Sequence, residues 1–140
     1  LNKAAEKLEP LPGALEFLVW LRSRYQVAII SDTFYELAGP LLSKLHNPMT
    51  LCHRLTVGSD GNIIGYRLRQ VDPKRHCVKA FQSLGYEIVA AGDSYNDISM
   101  LEQAENGILF QPSEKVVNDF PDFPVALNYE ELKVMYTESM

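Results

Sequence analysis

Alternation of short apolar runs with amphipathic helical stretches predicts an open, mostly parallel α/β sheet carrying an inserted β-hairpin. Three observations lead there. Val27-Ala28-Ile29-Ile30 and Ile88-Val89-Ala90-Ala91 are continuous apolar runs, the pattern of parallel strands buried on both faces, and each halts at a polar cluster. Apolar residues at helical spacing flank both runs. Asp60-Gly61-Asn62 sits between two β-rich segments, as a hairpin turn would.

Taken in order, Leu11, Leu15, Leu18, Trp20, Leu21 and Tyr25 mark a first helix behind Pro12, a residue suited to a first helical turn. The Val27–Ile30 strand follows and stops at Ser31-Asp32-Thr33. A second helix points Leu37, Leu41, Leu42 and Leu45 inward, with Gly39-Pro40 delaying or kinking its start. The hairpin occupies Thr50–Arg69. Asp72-Pro73 supplies an N-cap and first-turn proline for a helix with Cys77, Val78, Phe81 and Leu84 inside, and Gly85 ends it. After the Ile88–Ala91 strand come a short helix through Ile98 and Leu101, a strand at Ile108–Phe110 and a helix from Ser113 to about Phe120. Pro121 to Pro124 breaks the chain, and Asn128 with Glu131 forms a capping box for a last helix through Leu132 and Tyr136.

With 140 residues, 46% hydrophobic and 22% charged, the chain is the size and composition of one globular domain. A net charge of −5 gives no general attraction to nucleic acid or to an anionic membrane. Cys52 and Cys77 are too few for a disulfide scaffold, and no apolar run approaches a bilayer span, so a cytoplasmic, reducing setting is expected. The chain opens on Leu1 without an initiator Met, which suggests a piece of a longer protein.

In open α/β sheets ligands bind at the carboxyl ends of the strands. Ser31-Asp32-Thr33 there offers a hydroxyl and successive backbone N–H groups for a phosphate or carboxylate, although on local sequence alone a helix cap is the simpler reading. Gly92-Asp93-Ser94-Tyr95-Asn96-Asp97 sets two carboxylates four residues apart at a loop-to-helix start. That pair suits Mg²⁺, which takes oxygen ligands and often only one or two protein carboxylates; a turn with a helix cap accounts for it equally well. Five basic residues, Arg67, Arg69, Lys74, Arg75 and Lys79, cluster in an acidic chain. Lys74, just inside a helix start, can lean toward the same sheet end and offset phosphate charge. Cys52-His53 and His76-Cys77 are not read as a zinc site, since neighbours on a strand face opposite ways and the spacing is wrong.

In chain order, Ser31, then Lys74, then GDxxxD at Gly92, Asp93 and Asp97 resembles the second, third and fourth motifs of the haloacid dehalogenase (HAD) superfamily of phosphotransfer enzymes. SDTFYEL, LCHRL, GYRLRQVDPKR and AAGDSYNDISML resemble its phosphoserine phosphatase branch, most of all the bacterial phosphoserine phosphatase/homoserine phosphotransferase members, from about Leu8 to Tyr136. The resemblance implies a HAD-like Rossmannoid core. Ser31, with backbone around Asp32 and Thr33, would bind the transferring phosphoryl group, and Lys74 would neutralise it. Asp93 would bind Mg²⁺, with Asp97 behind it and Asn96 orienting ligands or waters. The substrate would be a small phosphorylated amino acid, attacked through an aspartyl-phosphate.

The chain departs from the family where the nucleophile belongs: there is no DxDGV-like first strand and no helical cap. Asp32 matches the second motif, and Phe34 stands where an acid-base Asp would follow it. The expected organisation is therefore a single partial core domain over residues 1–140, with 1–9 the tail of the cap. Without the first strand, the Val27–Ile30 and Ile88–Ala91 strands would present unpaired edges, a route to self-association. A non-catalytic remnant that binds phosphate or a partner, and an unrelated flavodoxin-like binding domain, are the alternatives.

Overall fold

The computed structural model describes residues 9–67 and 72–139. Arg69 and residues 1–8, including most of the expected cap tail, fall outside them. The chain divides into two compact units, Leu1–Pro73 and Lys74–Met140.

In the first unit, α1 (Ala14–Arg22) starts at Gly13, whose φ of 86° places it in the left-handed region, so Pro12 precedes the helix rather than entering its first turn. Phe17 and Leu21 form its buried stripe, whereas Leu11 stays 60% exposed. Strand β1 (Ala28–Phe34) is longer than expected and runs on through Ser31-Asp32-Thr33. Its apolar half is only half-buried, not covered on both faces. Helix α2 (Tyr35–Lys44) begins directly after β1, with Pro40 in its interior and no fully buried residue. Gly39-Pro40 therefore does not delay its start.

Strand β2 (Met49–Val57) pairs parallel to β1, Ala28 opposite Met49, and antiparallel to β3 (Ile63–Arg67), Leu55 opposite Tyr66. The sheet order is β1-β2-β3. The hairpin loop closes through Gly58 N–H to the Asn62 carbonyl at 2.8 Å, and the Asp60 carboxylate accepts from Asn62 N–H at 3.0 Å.

Asp72, with φ 48°, ends the first unit together with Pro73 and leads into α3 (Pro73–Ser83), which belongs to the second unit from Lys74 onward. Lys74, Cys77 and Val78 are its buried residues. Tyr86 N–H donates to the Phe81 carbonyl at 3.2 Å and Gly85 N–H to Gln82 at 2.9 Å, a Schellman ending that needs the left-handed Gly85, φ 93°. Leu84, expected inside, is 70% exposed because it falls in this closing turn. Strand β4 (Val89–Gly92) feeds a 3₁₀ turn (Tyr95–Asp97) and α4 (Ile98–Gln103); β5 (Asn106–Phe110), α5 (Glu114–Asp119), β6 (Val125–Ala126) and α6 (Tyr129–Ser139) complete the chain.

All strands of the β4-β5-β6 sheet are parallel. Val78, Leu101, Ile108, Leu109 and Ala126 form its driest core, each at most 1% exposed. Strand β6, of two residues, is too short to carry a legible period and is absent from the sequence reading. Strands β1 and β4 end their respective sheets, and no ladder joins Ile29 to Val89 among the described residues. The α/β class with parallel strands and an inserted hairpin is the one the sequence predicts.

Candidate active site

The GDSYND loop is built around one carboxylate. Asp97 is 5% exposed, and its Oδ2 accepts from the backbone N–H groups of Asp93 at 2.9 Å and Ser94 at 3.2 Å. Oδ1 accepts from Lys74 Nζ, itself on a residue 8% exposed in the first turn of α3. Ser94 and Asp97 form a capping box across the 3₁₀ turn, a further reason for the sharp corner after β4.

Gly92 makes this approach possible. A Cβ there would lie 2.6 Å from Asp97 Cβ and Cγ and 2.7 Å from Oδ2. No other residue type lets the carboxylate fold back onto the strand end.

The two acids of the loop behave oppositely. Burial alone would push Asp97 up, but the Lys74 hydrogen bond, the Asp93 and Ser94 N–H groups and the Lys74 charge together carry it below the usual carboxylate range. Asp93 is raised, first by lost hydration, then by hydrogen bonding with Asp97 and repulsion from its charge. Asp93 remains exposed, as does Asn96. The loop therefore presents one solvent-facing carboxylate, braced from behind by a second that is already paired.

That donor set fits a hard dication held by one direct protein oxygen, with water filling most of the octahedron. Among the described residues no group of three or more His, Cys, Asp or Glu side chains is gathered for a metal.

In the first unit, Ser31, Asp32 and Thr33 lie on the last part of β1, not on a loop beyond it. Ser31 Oγ accepts from Thr33 N–H at 3.2 Å, and both residues are half-buried while Asp32 is exposed. His53, part of the family-like LCHRL stretch but given no role there and declined as a zinc ligand, is 4% exposed with Nε2 3.7 Å from Asp32 Oδ1. Its place beside Asp32 comes from the strand pairing, Phe34 opposite His53, which no local stretch contains. Ser94 was legible as S-x-x-D ahead of an apolar run.

The candidate residues thus form two groups: Ser31, Asp32 and Thr33 in one unit, and Lys74, Asp93, Asn96 and Asp97 in the other. Residues 1–105 match the haloacid dehalogenase-like hydrolase family. The chain belongs to that family. This haloacid dehalogenase-like chain is 54% identical over 133 residues to Phosphoserine phosphatase ThrH of Pseudomonas aeruginosa, covering 95% of its own length and 65% of the relative's. It is 53% identical over 126 residues to Phosphoserine phosphatase of Pseudomonas syringae pv. tomato, covering 90% of this chain and 53% of that protein. A solved phosphoserine phosphatase carrying a phospho-aspartyl intermediate analogue matches with a TM-score of 0.78 at 26% identity, over 96% of this chain and 68% of that one. The chain thus spans between about half and two thirds of the curated relatives it matches.

Proposed function

We propose that these 140 residues are the larger part of the catalytic core of a Mg²⁺-dependent phosphomonoesterase or phosphotransferase acting on phosphoserine-like substrates. The observation that carries this reading is the buried Lys74–Asp97 pair behind the exposed Asp93. A buried lysine is costly unless its charge is answered, and Asp97 answers it without using Asp93. Similarity to the two Pseudomonas phosphatases supports the substrate class.

In this reading Ser31 Oγ donates to a non-bridging phosphoryl oxygen, with nearby backbone N–H groups of Asp32 and Thr33 assisting. Lys74 supplies positive charge where the transferred group gathers negative charge, and Asp97 fixes its ammonium. Asn96 orients ligands or waters from the loop. When bound at Asp93, Mg²⁺ would supply charge neutralisation for the phosphoryl group.

The attacking carboxylate is supplied by a stretch outside these 140 residues, since no DxDGV-like segment occurs in them. Its oxygen bonds to phosphorus as the bond to the substrate's serine oxygen breaks. Water or a second alcohol then attacks phosphorus and releases the carboxylate. Two cysteines, Cys52 and Cys77, both buried, are too few for a disulfide scaffold and fit a reducing cytoplasm. No described helix is long and apolar enough to cross a membrane. The strands ending each sheet, β1 and β4, offer edges for self-association, which sedimentation velocity would read as a concentration-dependent mass.

Two assays test the function. The complete gene product should hydrolyse phosphoserine, and Asp93→Asn should cut its turnover about 100-fold or more while circular dichroism stays unchanged. The 140-residue chain alone should show no turnover above a blank. A complete gene product that binds phosphate yet never turns over phosphoserine would favour the non-catalytic remnant. Hydrolysis by the short chain, abolished in Asp32→Asn, would overturn the assignment of the nucleophile to another segment.

A further inference from the structure

Strand β1 does not pair evenly with β2. Ile30 sits opposite Leu51 and Phe34 opposite His53, so β1 takes four steps where β2 takes two. Ser31-Asp32-Thr33 therefore stand against the single Cys52, and this stretch leaves the regular ladder and bulges. A bulged segment lacks the backbone pairing that fixes a regular strand, so other contacts must define where its side chains point. One is internal, Thr33 N–H to Ser31 Oγ at 3.2 Å. Another reaches β2: His53 Nε2 lies 3.7 Å from Asp32 Oδ1.

The two partners of that contact differ in burial. The Asp32 side chain is 43% exposed and that of His53 only 5%. The His53 ring lies beside Phe34, centroids 6.1 Å apart, at the point where the strands rejoin. Strand β2 is itself held on both sides of His53 by the first turn of α2. Tyr35 Oη donates to the Thr50 carbonyl at 2.6 Å, and Glu36 Oε2 accepts from Leu55 N–H at 2.9 Å. A buried imidazole beside a more exposed carboxylate is a restraint on the carboxylate.

We propose that His53 is a positioning residue for Ser31-Asp32-Thr33, holding the bulge of β1 through the Asp32 carboxylate so that the Ser31 hydroxyl is presented to a phosphoryl oxygen. The part that concerns phosphate rests on the function proposed above; the part that concerns the bulge stands on the strand register.

The test uses the 140-residue chain and inorganic phosphate, followed by heteronuclear NMR at one fixed pH. Asp32→Asn, at an exposed position, should move the His53 Nε2 resonance and the Thr33 amide. His53→Phe, which keeps the bulk but removes the ring nitrogens, should weaken the phosphate response at Ser31 about fivefold or more, and His53→Gln, which keeps an N–H donor, should restore most of it. An unmoved His53 Nε2 resonance in Asp32→Asn overturns the proposal, and this measurement does not depend on the folding of any His53 variant. A phosphate affinity unchanged in His53→Phe but lost in Ser31→Ala also overturns it, leaving the phosphate-binding role of Ser31 intact. Absence of any phosphate response at Ser31 in the unsubstituted chain would instead count against the proposed function, with the Nε2 resonance still deciding the bulge.

Discussion

At position 92 a methyl group has nowhere to go, because the Asp97 side chain already occupies that volume at 2.6 Å. The obstruction is the carboxylate that the loop is built on, so it cannot yield without losing the hydrogen bonds to Asp93 N–H, Ser94 N–H and Lys74. Gly92→Ala should destabilise the chain by about 2–3 kcal/mol in urea unfolding, as overpacking does. Lys74→Met should cost about 3 kcal/mol, because it leaves a buried carboxylate without its cation, and Lys74→Met with Asp97→Leu should recover much of that loss. Asp97 is depressed in the folded state, so its contribution is present above the ordinary carboxylate range and is lost as pH falls through the folded value. Acid unfolding of Lys74→Met should accordingly show a weaker dependence on pH below about 4 than the unsubstituted chain. An unchanged acid limb would contradict the pairing. Asp93 and Asp97 were legible as candidates from residue type and spacing, and Lys74 from its place in the family-like order of motifs. The family resemblance implied Asp93 in front with Asp97 behind it, but that Asp97 pairs with Lys74 was not legible, since nothing in the local sequence links the two.

Helix ends in this chain depend on single residues that the sequence displays openly. Gly85 closes α3 at φ 93°, where a β-carbon is strained, and Gly85→Ala should cost about 1 kcal/mol. Asn128 Oδ1 accepts from Glu131 N–H at 2.9 Å, and Glu131 Oε2 accepts from Leu127 N–H at 2.5 Å. The expected box is thus present with its return bond moved one residue upstream. Asn128→Ala should cost about 1 kcal/mol, read as a lowered thermal midpoint. Strand ends proved harder to place. β1 runs through Ser31-Asp32-Thr33 because Phe34 rejoins β2 opposite His53, a pairing of residues nineteen positions apart that no local window contains. β6 exists because Val125 and Ala126 pair with Leu109 and Phe110, and by themselves they carry no signal.

Across the molecule the two units are covered unequally. In the first, β1 and α2 contain no fully buried residue, whereas Leu101, Ile108 and Leu109 in the second are at most 1% exposed. Tyr136, 9% exposed on α6, reports on that second core: burial pushes its phenol up to about 12. A phenol raised by folding contributes stability that is complete below its unfolded value, about 10, and is lost as pH rises through the folded one. A rise of that size corresponds to about 2–3 kcal/mol. The stability difference between the unsubstituted chain and Tyr136→Phe should therefore change by about that amount between pH 9 and pH 12. Parallel curves over that range would show that the phenol is not buried in solution.

By itself the sequence determined the fold class, the order of the helices, the hairpin and the identity of the polar clusters, because those follow from periodicity and residue type within a few neighbours. Only the tertiary structure decided that Asp97 pairs with Lys74, that β1 bulges at Ser31-Asp32-Thr33, and that His53 lies beside Asp32. Each of those outcomes depends on residues far apart in the chain competing for one buried volume or one strand register. Burial and pairing of that kind are properties of the packed molecule and leave no trace in any single stretch of it.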